Sequence, residues 1–166
     1  MLFKLIGRGN CCRMVKLNSF TDFDAFQASR RFVREVRLLI RTPKFRRNRE
    51  LFTQMERAAI SVLSNFAEGF ERDGNAEFVQ FLTISKGSIG ELRGQLIYSL
   101  DVGLIDEALQ TVLDDKAATA TRMVGGLIRY LSGTELMGRK IRTTGRKQVK
   151  PPSPATPQPL TSNCKP

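Results

Sequence analysis

Arg30, Arg34, Arg37 and Arg41 are the residues whose type and spacing point most directly to chemistry. At roughly 100° per residue, steps of four, three and four place them within about 60° of one another on one helix face. Four guanidiniums in one row repel each other by a few tenths of a kcal/mol per pair, and only Glu35 lies near enough in sequence to offset them. Folding alone does not favour such a row. A partner carrying phosphates explains it; so does pairing of each arginine with an acid on a neighbouring helix or subunit. The connector KFRRNRE extends the track with Lys44, Arg46, Arg47 and Arg49. Flexible cations of this kind satisfy phosphates without reading bases. Phe45 is the one aromatic among them, and an anchor for the connector is the expected role.

Charge is distributed unevenly. Residues 1–50 hold 13 Lys and Arg against 4 Asp and Glu, residues 51–138 hold 7 against 12, and residues 139–166 hold 7 against none, giving +9, −5 and +7 of the total +11. Basic ends around an acidic middle favour a polyanionic partner, RNA or DNA, although solubility alone also accounts for basic ends. The chain has no histidine, which removes the imidazole of triads, metallohydrolases and Glu-x-x-His di-iron sites. Cys11, Cys12 and Cys164 offer no paired zinc-ligand spacing. Glu68, Glu77 and Glu91 could be assembled into a hydrolase site only without an activated nucleophile, so capping and ion pairing are their expected uses. We expect no enzyme, cofactor or metal. Free thiols and the lack of a run of roughly 20 apolar residues point to a cytoplasmic protein without a membrane span.

The elements that position the arginines follow from periodicity. An all-α, up-down-up-down four-helix bundle is predicted over residues 21–133, between a flexible N-terminal extension (1–20) and a disordered basic, Pro-rich tail (134–166) whose Arg139–Lys150 stretch assists binding. Met14 offers an alternative start. The first helix runs from a cap at Thr21 or Asp22 to about Arg41, with Phe32, Val33, Val36, Leu39 and Ile40 inward; Pro43 ends it. The second, about Arg49 to Phe70, buries Leu51, Met55, Ala58, Ala59, Val62 and Phe66. A turn at Gly69 and ERDGN leads to a third helix capped by Asn75. Its Phe78, Leu82, Ser85, Ile89, Leu92, Leu96 and Ser99 alternate fours and threes, the spacing of a bundle seam. Gly103 breaks it, and Asp106 caps a fourth helix with Leu109, Val112, Leu113, Ala120, Val124, Leu127 and Leu131 inward.

Gly87, Gly90 and Gly94 lie to one side of the third helix, away from its seam. Each glycine costs about 0.5 to 1 kcal/mol against alanine in a helix interior. A close backbone approach would justify them, by the second or fourth helix of the same chain or by another subunit.

The string QMERAAISVLSNFAEGFERDGNAEFVQFLTISKGSIGELRGQL resembles the four-helix-bundle proteins encoded in intervening sequences of bacterial 23S ribosomal RNA genes. It matches at Gln54, Arg57, Ala58, Ser61, Asn65, Ala67, Glu68, Gly69, Glu77, Phe78, Gly87, Ser88 and Glu91. Two departures stand out: Phe26 occupies the place of the usual tryptophan, and KFRRNR replaces an acidic proline turn. The resemblance implies a bundle assembled as a homo-oligomeric ring, with five subunits the expected number, and no enzymatic activity. Relatives at the edge of that family are accessory proteins of diversity-generating retroelements, which bind a reverse transcriptase and its RNA; the same partners are expected here. The alternative is an adaptor whose basic face docks an acidic protein.

Overall fold

The computed structural model describes residues 2–4, 14–16, 18–72 and 74–133. The basic tail from residue 134 onward, the three cysteines and Asp73 of the predicted turn lie outside them. Within the segment assigned to the N-terminal extension, strands β1 (Leu2–Lys4) and β2 (Met14–Lys16) pair antiparallel. The rest is all-α. A single 3-10 turn (Phe20–Asp22) precedes α1 (Asp24–Ile40), the one-turn α2 (Pro43–Arg47), α3 (Arg49–Glu71), α4 (Asn75–Asp101) and α5 (Glu107–Gly133).

The four long helices form an antiparallel square in which α1 packs on α3 and α5, and α4 on α3 and α5. The seam residues predicted for α4 are all buried, and so are those of α3. Strict alternation of fours and threes keeps one stripe facing the core over the full length of α4, which is why its phase was readable. In α5 the seam runs through Leu113, Ala117, Ala120, Val124 and Leu131. Leu109 and Val112, predicted inward, are exposed. Val112 is one residue off this phase. Leu109 sits in the first turn, at the end of the bundle where Ile105 is buried instead.

The opposite end is closed by aromatic rings. Phe20, Phe23, Phe26, Phe66, Phe70 and Phe78 meet edge to face at centroid separations of 5.0 to 6.3 Å. Edge-to-face packing sets the positive rim of one ring against the negative face of the next. Phe26 is buried within this cluster. The cluster also explains a revised helix start. Thr21 and Asp22 do not cap α1; Ser19 and Asp22 form a capping box on the 3-10 turn, and Phe23, with extended backbone, turns its ring inward immediately before α1.

Three other local expectations change. Asn75 does not cap α4; Gly74 holds that position, and Asn75 is the first helical residue. The connector is helical at Pro43–Arg47, since proline at the first helical position presets the backbone angle. Gly69 does not serve the turn. It lies within α3, where a Cβ would fall 2.5 Å from Phe81 Cβ and 3.0 Å from the Phe78 ring, so its missing side chain lets α3 and α4 close. The predicted cap at Asp106 is present, accepting from the Leu109 amide, and Asn48, a cap not predicted from the sequence, accepts from the Leu51 amide at the start of α3. Gly103 adopts φ +69, the left-handed geometry that favours glycine.

Buried hydroxyls join α3 to α4. Ser85 donates to the Val62 carbonyl at 2.7 Å, and the Ser61 and Ser88 hydroxyls share a 2.8 Å hydrogen bond. Asn65 Nδ2 donates to both the hydroxyl and the carbonyl of Ser61. Arg93 clasps Asp114 across α4 and α5 through two hydrogen bonds of 2.7 and 2.9 Å. These hydrogen bonds hold the Asp114 carboxyl below its ordinary range and raise the Arg93 guanidinium.

Candidate nucleic-acid interface

Helix α1 must turn Phe26, Phe32, Val33, Val36 and Ile40 to the core, and this places the arginine row on its outer flank. The four arginines come together there. Arg30, Arg34, Arg37 and Arg41, with Val33, Leu38 and Leu63, line an open groove of about 310 Å³ between α1 and α3. Arg30, Arg34 and Arg41 are exposed and, among the described residues, have no carboxylate within ion-pair distance.

Arg37 differs. Its Nη2 donates to Glu56 Oε1 at 2.8 Å, while Arg37 Nε and Glu56 Oε2 are buried without hydrogen-bond partners. Pairing with a neighbouring helix therefore accounts for one arginine of the row and leaves the other three unexplained. An uncompensated row of cations is unfavourable within the fold itself, so its chemistry is directed outward.

The connector is positioned by Phe45, which is fully buried and pins α2 to the core. Lys44 Nζ donates to the Gly103 carbonyl at 2.6 Å, tying α2 to the turn between α4 and α5. That lysine keeps its charge but not its reach. Arg46, Arg47 and Arg49 are exposed and continue the basic surface beyond Arg41.

A second groove, between α1 and α5, is lined by Ala28, Arg31, Arg34, Glu35, Asp115, Lys116 and Thr119. Lys116 bridges to Glu35 at 3.1 Å. Mixed charge makes it a poorer anion site than the first. Arg31 contributes a cation that the four-three spacing passed over, although its adjacency to Arg30 was a usable signal.

The glycine strip lies on the far side of the bundle. Gly87, Gly90 and Gly94 are exposed on the outer face of α4, opposite its seam, and among the described residues nothing lies within 4 Å of a Cβ built on any of them. Neither α3 nor α5 approaches them, so packing against these neighbouring helices does not explain the glycines. Ile84, Ile97 and Tyr98, each about half exposed, share this face. The three glutamates considered for hydrolysis have ordinary surroundings: Glu68 accepts from Arg72, Glu91 accepts from Gln95, and Glu77 is exposed.

No helix among the described residues is long and apolar enough to cross a membrane. The profile of the 23S rRNA-intervening sequence protein family matches residues 21–126, from the 3-10 turn through most of α5, and the chain belongs to that family. No curated protein matches the chain.

Proposed function

We propose that this member of the 23S rRNA-intervening sequence protein family is a non-catalytic, homo-oligomeric bundle that binds RNA, or nucleic acid generally, through phosphate contacts on α1 and α2. One observation carries the reading: four arginines line a single groove, and three of them have no carboxylate partner among the described residues. Phosphates supply the missing countercharge. Arg46, Arg47 and Arg49 extend the same surface, and the basic tail adds affinity without specificity.

Self-association uses the outer face of α4. Glycines that lack any neighbour among the described residues forgo helix stability, which is recovered where the backbone of a second copy packs against them. Ile84, Ile97 and Tyr98 supply apolar area for the same contact. Five copies in a ring is the proposed assembly.

The test is binding of RNA at several salt concentrations. Neutralised phosphates release counterions, so affinity must fall steeply with salt, and charge reversal at Arg30, Arg34 and Arg41 must weaken binding to all sequences alike. A flat salt dependence refutes the reading. The competing role, in which the arginines dock an acidic protein such as a reverse transcriptase, is separated by purification. The chain has no tryptophan, so co-purifying nucleic acid dominates its ultraviolet spectrum, whereas docking yields a nucleic-acid-free complex.

A further inference from the structure

We infer that the groove along α1 takes a single strand of nucleic acid, about four nucleotides long, in preference to a duplex; this rests on the phosphate-binding role proposed above and specifies its ligand. Three features of the groove carry the inference. The first is the axial spacing of the cations. A helix rises about 1.5 Å per residue, so Arg30, Arg34, Arg37 and Arg41 stand about 6.0, 4.5 and 6.0 Å apart along α1. They form one file that follows one phosphate strand, and among the described residues no second file of unpaired cations runs parallel to it.

The second feature is what borders the file. On the α5 side the adjoining groove sets Glu35 and Asp115 among Arg31 and Lys116, with Lys116 paired to Glu35, and on the α3 side Glu56 holds Arg37. The basic strip is therefore one strand wide. A duplex centred on it would carry its other phosphate strand over a surface of mixed charge that includes Glu35 and Asp115.

The third feature is the apolar part of the lining. Val33, Leu38 and Leu63 lie among the guanidiniums, and Leu38 is 58% exposed although it sits in the middle of a helix. A duplex keeps its bases stacked inside and offers this surface only sugar and phosphate. An unpaired strand can lay a base face on Leu38 and Leu63 while its phosphates meet the arginines, and guanidinium planes can stack on neighbouring bases.

The experiment is fluorescence anisotropy of the full chain with a labelled RNA of about 12 nucleotides, free and annealed to its complement, between about 50 and 200 mM salt. Wild type, the triple variant Arg30→Gln, Arg34→Gln, Arg41→Gln, and Leu38→Ser are compared, with helix content checked by circular dichroism. All four positions substituted avoid the core. We expect the single strand to bind about tenfold more tightly than the duplex. The triple variant should flatten its log–log salt slope by about 2, the contribution of three phosphates at about 0.7 each. Leu38→Ser should weaken single-strand binding about fourfold, what burial of one methylene yields, with the salt slope unchanged. If the duplex binds equally or more tightly while the triple variant still flattens the slope, the strand preference is overturned and the phosphate-binding face stands. If the slope of the triple variant equals that of wild type, or no RNA binds, the phosphate-binding face itself fails and this inference with it.

Discussion

Replacing Gly87, Gly90 and Gly94 together with alanine separates folding from assembly, because the two should respond with opposite sign. A Cβ at each position meets nothing within 4 Å among the described residues of the chain. Each change then relieves only the conformational cost of glycine, about 0.5 to 1 kcal/mol, so the bundle should gain about 1.5 to 3 kcal/mol. At roughly 4 °C per kcal/mol for a domain of this size, the melting temperature should rise by about 6 to 12 °C. The same methyl groups would intrude on a second copy packed against α4, where overpacking costs about 1 to 3 kcal/mol per site. Two measurements are needed. Thermal unfolding is followed at protein concentrations below dissociation of the assembly, since association would otherwise add to apparent stability. Light scattering coupled to size exclusion is followed across a concentration series. The expected pair of results is a more stable chain and a smaller particle. A stabilised variant that assembles as wild type does would show that the strip lies outside the subunit contact. Wild type that stays monomeric at every concentration would refute the assembly itself.

Gly69→Ala should act in the reverse direction from those three, because its Cβ would meet Phe81 Cβ at 2.5 Å and force α3 away from α4; we expect a net loss of about 1 to 2 kcal/mol in urea unfolding. Glu56→Gln should free the charge of Arg37 while keeping a hydrogen-bond acceptor, raising RNA affinity and steepening the log–log salt slope by about 0.7; unchanged binding would show that Arg37 lies outside the path of the strand. The Arg93–Asp114 clasp predicts a specific acid response. Asp114 has a folded pKa below its unfolded value of about 3.9, so its contribution is complete above that value and is lost as pH falls through the lowered folded pKa. Asp114→Asn should therefore lower stability at neutral pH and flatten the loss between about pH 4 and the acid limit, as read from urea midpoints across pH.

The parts of the fold that could be read from sequence are those fixed by periodicity. The α4 seam from Phe78 to Ser99 was legible because each residue answers to one local rule, the return of a side chain to the same face every three or four positions. Leu109 and Val112 escaped that rule because α5 begins with apolar residues on more than one face, and only the position of Ile105 decides which of them the bundle covers. A cap was legible where nothing competed, as at Asp106. Others were misplaced where tertiary packing took over: the demand for Phe23 in the aromatic end moved the start of α1 past Thr21 and Asp22. The site was legible to the same degree and for the same reason. The arginine row is a property of one helix, so its spacing sufficed to collect it. The pairing of Arg37 with Glu56 and of Lys44 with Gly103 spans 19 and 59 residues, and no local pattern encodes either. Gly69 beside Phe81 is similar, a long-range contact that reads from sequence as a turn residue.

The placement of the two outward features has a consequence for binding strength. Helix α1 neighbours α3 and α5, and so does α4, which puts α1 and α4 on opposite corners of the square. Subunits that meet through the α4 face thus leave the arginine row of each copy on the outside of the assembly. One row of four cations gives modest affinity, and three free guanidiniums contribute a salt slope of only about 2. If the proposed assembly forms, several rows on one particle would engage one long RNA at once, and after the first contact the others would bind at high effective concentration. Binding should accordingly depend on RNA length more steeply in the assembled protein than in a variant whose α4 face is blocked. That dependence ties the glycines of α4 to the arginines of α1, although no contact joins them.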